Sequence, residues 1–210
     1  MIADGHIHTP FCPHGTADSF EAYIEWAIQQ KVDEISFTEH APLPKGFIDT
    51  TPTKDSAMSA KQLSEYIEKI RILKEEYKRH IRINIGLEID YLAEYEHDIT
   101  DWLNEIGPQL DDSILSVHFI KLNSKYYCID YSADYFGKIA QVAGSVERVY
   151  ERYYDTLKKA ILSDLGKFKP KRLGHLTLAR KFQLKYPPVK DFQPTETELL
   201  QLIKKQQPAL

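Results

Sequence analysis

Five strand-like stretches recur along the chain, at residues 4–9, 34–40, 81–91, 113–120 and 172–177, and each carries a histidine or a glutamate at or near its end. Helical patterns fill the intervals between them. Strands alternating with helices call for a parallel sheet with helical crossovers, and the leading architecture is a closed or nearly closed βα barrel. In such barrels chemistry sits at the carboxyl ends of the strands, which is where these polar side chains gather. The rival is an open doubly wound sheet, which would want a glycine-rich phosphate loop after its first strand. This chain has PFCPHG there instead.

The first strand sets the chemistry. Residues i and i+2 of a strand share a face, so Asp4, His6 and His8 are expected to point one way and Ile7 the other. The two histidine Cα atoms would lie roughly 6.5 to 7 Å apart, a span that two imidazoles can close onto one metal ion. Later strands repeat the pattern with His40, with Glu88 and Asp90 on one face, with His118, and with His175; the loop after the first strand adds His14. Imidazole and carboxylate donors suit Zn, Mn or Fe rather than Ca or Mg, and so many exceed what one tetrahedral ion can use. Two or three divalent ions are implied.

Other polar residues fall outside this ligand set. Asp4 and Asp90 read as carboxylates behind metal-bound histidines, fixing their tautomers. Glu39 alternates away from His40 and is either the residue at which the strand ends or a rim residue. His80 and His97 read as solvated, Cys12 as a non-ligating thiol, and Arg180 and Lys181 as candidate anion binders just past the fifth strand.

Helices are expected from an N-cap at Ser19 onward, and over residues 59–77, 95–106, 134–143, 145–165 and 195–206. Residues 41–57, with Pro42, Pro44, Gly46 and Pro52, form a long loop above the second strand, and residues 126–130 a short extra strand. With 210 residues, 42% hydrophobic and 28% charged, the chain suits one domain with a sizeable core. Its 27 basic and 31 acidic residues leave a formal charge of −4, which disfavours nucleic acid as a partner. Two cysteines are too few for a disulfide framework, no signal peptide is expected, and no apolar run approaches the ~20 residues of a membrane span. A reduced, cytoplasmic setting is expected.

These motifs carry a family resemblance. DGHIHT (residues 4–9), PFCPHG (10–15), TEHAP (38–42), GLEIDY (86–91), SVHF (116–119) and GHLT (174–177) resemble the polymerase and histidinol phosphatase (PHP) superfamily, in its histidinol-phosphate phosphatase branch. The match spans about residues 2–183. It implies a distorted, TIM-like βα barrel of seven strands, a site of two or three divalent ions, and hydrolysis of L-histidinol phosphate to L-histidinol and phosphate in histidine biosynthesis. Residue by residue it lays the family's ligand positions on His6, His8, His14, His40, Glu88, His118 and His175. A hydroxide held by those ligands would attack phosphorus in line, with Arg180 and Lys181 as auxiliary clamps.

Two departures accompany the resemblance. Thr177 stands where many members have Asp, and the family's last motif, an Asp and a His two residues apart, has no counterpart before Leu210. Residues 1–210 are therefore expected to be a single PHP-type domain truncated at its C-terminus, with the last barrel strands missing. The alternatives are a PHP phosphoesterase for another phosphomonoester such as phosphotyrosine or a nucleotide, an amidohydrolase-type hydrolase, and a non-catalytic metal-binding module.

Overall fold

The computed structural model describes residues 1–13 and 15–206. The chain runs β1 (Ala3–Ile7), α1 (Phe20–Gln29), β2 (Glu34–His40), α2 (Leu63–Glu76), β3 (Arg82–Asp90), α3 (Glu96–Ile106) and β4 (Asp112–Ser116). It continues through β5 (Phe119–Leu122), β6 (Lys125–Cys128), α4 (Ala133–Ala143), α5 (Val146–Leu162), β7 (Arg172–Leu173) and α6 (Gln193–Gln206). The sheet order is β1-β2-β3-β4-β7, all neighbours parallel, while β5 and β6 form a separate antiparallel hairpin.

The two faces of the sheet differ as the sequence alternation demands. Phe37 of β2 packs its ring 4.9 Å from Phe20 of α1, so Ile35 and Phe37, with their register partners Ile83 and Ile85, form the face under the helices. Fully burying each such side chain contributes roughly 1.5–3 kcal/mol. The opposite row, Ser36, Thr38 and His40 beside Asn84, Gly86 and Glu88, is polar and equally buried. A sheet polar on one buried face needs a curled interior to hold those groups.

The curl is visible at the two flanks of the sheet. Arg172 on β7 donates from Nη2 to the Gly5 carbonyl of β1 at 2.7 Å and from Nε to Asp112 of β4 at 3.0 Å. One side chain thus spans the gap between the first and last strands. Five strands curl into an open half-barrel, and among the described residues no strand closes it.

Helix starts follow their caps. Ser19, Ser132 and Ser145 each accept a hydrogen bond from a first-turn backbone N–H, an arrangement worth about 1 kcal/mol per helix. Gly144, at φ 89°, ends α4 in the left-handed region that separates it from α5. Helix α2 begins four residues later than expected, because the Ser59 hydroxyl donates to Gln62 Oε1 and does not cap the helix. Two expected strands are shorter than their apolar runs. The expected strand at 113–120 leaves the sheet after Ser116, where the His118 backbone N–H turns to Asp90, and its remainder becomes β5 of the hairpin. The expected strand at 172–177 pairs only through Arg172 and Leu173, after which the Leu178 N–H closes a turn on the His175 carbonyl.

Candidate metal centre

Parallel pairing places His40 beside Glu88 at the ends of β2 and β3, and Asp90 beside Ser116 of β4. Glu88 is 1% exposed and sits at the centre of a ring of imidazoles. Its Oε2 lies 3.1 Å from His6 Nε2, 3.3 Å from His40 Nδ1 and 3.5 Å from His8 Nε2. Its Oε1 lies 2.9 Å from His175 Nε2 and 3.6 Å from His118 Nε2, and accepts the Ser116 hydroxyl. Neighbouring rings follow one another round the carboxylate: His6 to His8 at 5.1 Å, His8 to His40 at 4.4 Å, His40 to His118 at 5.0 Å, His118 to His175 at 4.8 Å, and His175 back to His6 at 5.9 Å.

This donor set fits divalent ions. His6 Nε2 and Glu88 Oε2 are buried and 3.1 Å apart, yet neither has an aligned hydrogen-bond partner. His118 Nε2 and His175 Nε2 face each other at 3.1 Å. Buried polar atoms such as His6 Nε2 and Glu88 Oε2 are costly unless something else binds them, and donor atoms converging on a shared point are what a cation satisfies. His6, His8 and Glu88 form one group that could hold an ion; Glu88, His118 and His175 form a second. His40 joins a third group with Asp90 and His118.

Two carboxylates stand behind the imidazoles. Asp90 accepts from His118 Nδ1 at 2.8 Å, and Glu39 accepts from His8 Nδ1 at 3.0 Å, which in each case leaves Nε2 to face Glu88. Glu39 is wholly buried on the helix side of the sheet and also accepts from Thr9 N, Thr9 Oγ1 and the His40 backbone N–H. Burial alone would raise its pKa; the His8 and Thr9 hydrogen bonds outweigh that and lower it. Burial likewise works against ionising Glu88, but the field of His118, the hydrogen bond of His175 and the close imidazoles of His6 and His40 hold its carboxyl well below the usual range.

The imidazoles divide accordingly. Burial and the charge of His118 push His40 down to about 4, so it stays neutral, as a metal ligand must. His118 moves the other way: burial lowers it, but Asp90 and Glu88 outweigh burial and lift it to about 10. The anionic field that holds a proton on His118 is the field that would attract a divalent ion in its place.

The sequence expectations meet this geometry unevenly. His6, His8, His40, Glu88, His118 and His175 converge; His14 lies outside the described residues. Asp4 is a correction. Between Asp4 and Ile7 the pairing of β1 slips, Asp4 opposing Ile35 and Ile7 opposing Phe37, so three steps of β1 match two of β2. That bulge puts Asp4 in the helix-side row, where its exposed carboxylate accepts, among the described residues, the His6 backbone N–H at 3.2 Å. Arg180 is a second correction: its Nε donates to Glu196 of α6 at 2.6 Å, which makes it a brace for that helix. Lys181 does reach the site, lining a cavity with His40 and His118 and bonding Asp130 at 3.1 Å. Cys12, read as non-ligating, is buried with its sulfur within 4.8 Å of donor atoms of His8, Glu39 and His40. Glu39 is the residue that sequence reasoning left open; the clue was a second ionisable group beside His40 at a strand end.

Comparison with known proteins places the chain among relatives. The PHP domain profile matches residues 4–210. A histidinol-phosphatase of Bacillus subtilis is 51% identical over 184 residues, covering 88% of this chain and 69% of the relative. A crystal structure from Listeria monocytogenes, provisionally designated a histidinol phosphatase, superposes with a TM-score of 0.90 at 39% identity, covering 97% of this chain and 79% of that one. The histidinol phosphate phosphatase of Lactococcus lactis, solved with zinc, L-histidinol and phosphate, shares the fold at a TM-score of 0.68 and 23% identity, covering 98% of this chain and 68% of that one. With imidazoles from the ends of β1, β2, β4 and β7 round one carboxylate of β3 and a family match over nearly its whole length, the chain belongs to the PHP domain family.

Proposed function

We propose that this chain is a metal-dependent phosphomonoesterase that hydrolyses L-histidinol phosphate to L-histidinol and phosphate, a step of histidine biosynthesis carried out in the cytoplasm. The observation that carries the reading is Glu88, one buried carboxylate with five imidazoles around it. The 51% identity to the Bacillus subtilis histidinol-phosphatase supports the substrate. Among the described residues no helix is long and apolar enough to cross a membrane.

The proposed ligands are His6, His8 and Glu88 for one ion, Glu88, His118 and His175 for another, and His40 for a third, with His14 the remaining candidate from the sequence. Divalent ions held there would supply charge neutralisation for phosphoryl oxygens and a more acidic water as nucleophile. The chain's own residues do the rest. Glu39 and Asp90 fix the tautomers of His8 and His118. Lys181 offers an ammonium to the phosphate from the cavity wall, and the buried hydroxyl of Ser116 holds Glu88 Oε1 in place. The zinc in the Lactococcus lactis structure supports zinc as one of the ions used.

The test is to strip the protein with a chelator, count ions per chain on reloading with Zn, Mn or Fe, and follow phosphate release from L-histidinol phosphate. Activity should vanish with the metal and return with two or three ions bound. Full activity in metal-free protein would falsify the reading.

A further inference from the structure

The cavity beside the metal centre holds a charge pair that the ligand set does not use. About 150 Å³ in volume, it shares His40 and His118 with the centre and is also lined by Asp55, Asp130, Tyr131 and Lys181. Asp130 Oδ2 accepts from Lys181 Nζ at 3.1 Å and Oδ1 from the Cys128 thiol at 3.2 Å. A carboxylate offers about four lone-pair sites, so two remain, and the thiol is a weak donor. Burial would raise the pKa of Asp130, but His118 and Lys181 outweigh it and hold the group at about 2, fully ionised.

We propose that Asp130 determines specificity by binding the ammonium of an aminoalkyl phosphate, while Lys181, its resting partner, is released toward the phosphate of the same substrate. The inference rests on the histidinol phosphate reading given above and deepens it. That substrate carries both charges, an anionic ester and a primary ammonium, and so can replace both members of the pair at once. The exchange is cheap because the pair is half-open to solvent, Lys181 being 46% and Asp130 21% exposed, and such pairs contribute little on their own. Asp90, the next carboxylate in the cavity, is occupied by His118.

The wall facing Asp130 is built in advance. The Asp49 carboxylate accepts the backbone N–H and the hydroxyl of both Thr51 and Ser56, tying the loop that carries Asp55 into a knot. Thr53 and Tyr131 join hydroxyls at 3.2 Å, and the Tyr135 hydroxyl donates to the Thr50 carbonyl at 3.1 Å, which pins that loop to the segment bearing Asp130. A pocket held this way spends little ordering entropy on its ligand.

The experiment compares L-histidinol phosphate with its des-amino analogue, 3-(imidazol-4-yl)propyl phosphate, by calorimetric affinity and by kcat/KM. Asp130→Asn should lose on the order of 10- to 100-fold with the amine-bearing compound and stay within about twofold with the analogue. Metal content and unfolding midpoint, matched to the unaltered chain, certify that the variant is folded. Lys181→Met asks the question from the other side: both ligands should weaken, but the preference for the amine should grow. If neither variant changes the ratio between the two ligands, the inference falls and the function stands. If the unaltered chain shows no preference for L-histidinol phosphate over p-nitrophenyl phosphate, the functional reading itself falls.

Discussion

Glu88 divides the centre into two sides whose ligands are alike and whose supports are not. On the Oε2 side, His6 and His40 stand on β1 and β2 and His8 comes directly after β1, and β2 pairs with β3 through seven consecutive register partners. On the Oε1 side, His118 and His175 come just after β4 and β7, which pair through only two residues. There the backbone is held by close approach. A Cβ on Gly174 would lie 2.0 Å from Ser116 Oγ, so only glycine lets β7 come near enough for His175 to reach the carboxylate. One side is positioned by a ladder and the other by a fit.

Replacing the shared residue removes both sides at once and should have the largest effect. Glu88→Gln is expected to lower bound metal and to cost ~10³-fold or more in phosphate release, since it takes the common donor from both groups. Loss of one ion with the other retained at full affinity would show that the carboxylate does not bridge the two sides.

The backing carboxylates sharpen the comparison. Glu39→Gln acts on His8 and Asp90→Asn on His118, so each should weaken metal affinity roughly 10- to 100-fold on its own side. Competition titrations with a chromogenic chelator would resolve the two classes of ion; an identical response to both substitutions would mean that the sides are not independent. Glu39→Gln should also lower the unfolding midpoint more than Asp90→Asn. It puts an amide N–H₂ in place of one carboxylate oxygen, against two of the four donors that Glu39 now accepts.

Glycine substitutions probe the fit with the smallest expected effect. Gly174→Ala forces Ser116 and β7 apart and should cost about 1–3 kcal/mol in denaturant unfolding, with loss of ion on the Oε1 side only. Gly5→Ala meets Arg172 Nη1 at 2.5 Å, the far end of a flexible side chain, and should cost less, about 1 kcal/mol. Equal costs at the two positions would refute a backbone constraint confined to β7.

The same asymmetry explains which residues could be read in advance. His40 and Glu88 lie on long strands whose alternation is unbroken, so period-two counting assigns their faces. Counting fails on β1, where a bulge moves Asp4 to the other row while sparing His6 and His8, which follow it together. It also fails at Val117 and Gly174, where apolar residues continue but the chain has left the sheet.

The order of strands and helices, the polar row along one sheet face, and the histidines and glutamate at strand ends were set by local pattern, because a side chain's face follows from its own strand's alternation. The pairing of Glu39 with His8, the Arg172 bridge to Gly5, the turning of Arg180 to Glu196, and the meeting of Asp130 with Lys181 across 51 residues were decided only in three dimensions. Each depends on how far the sheet curls and where loops land, and those are properties of the packed whole that no window of sequence contains.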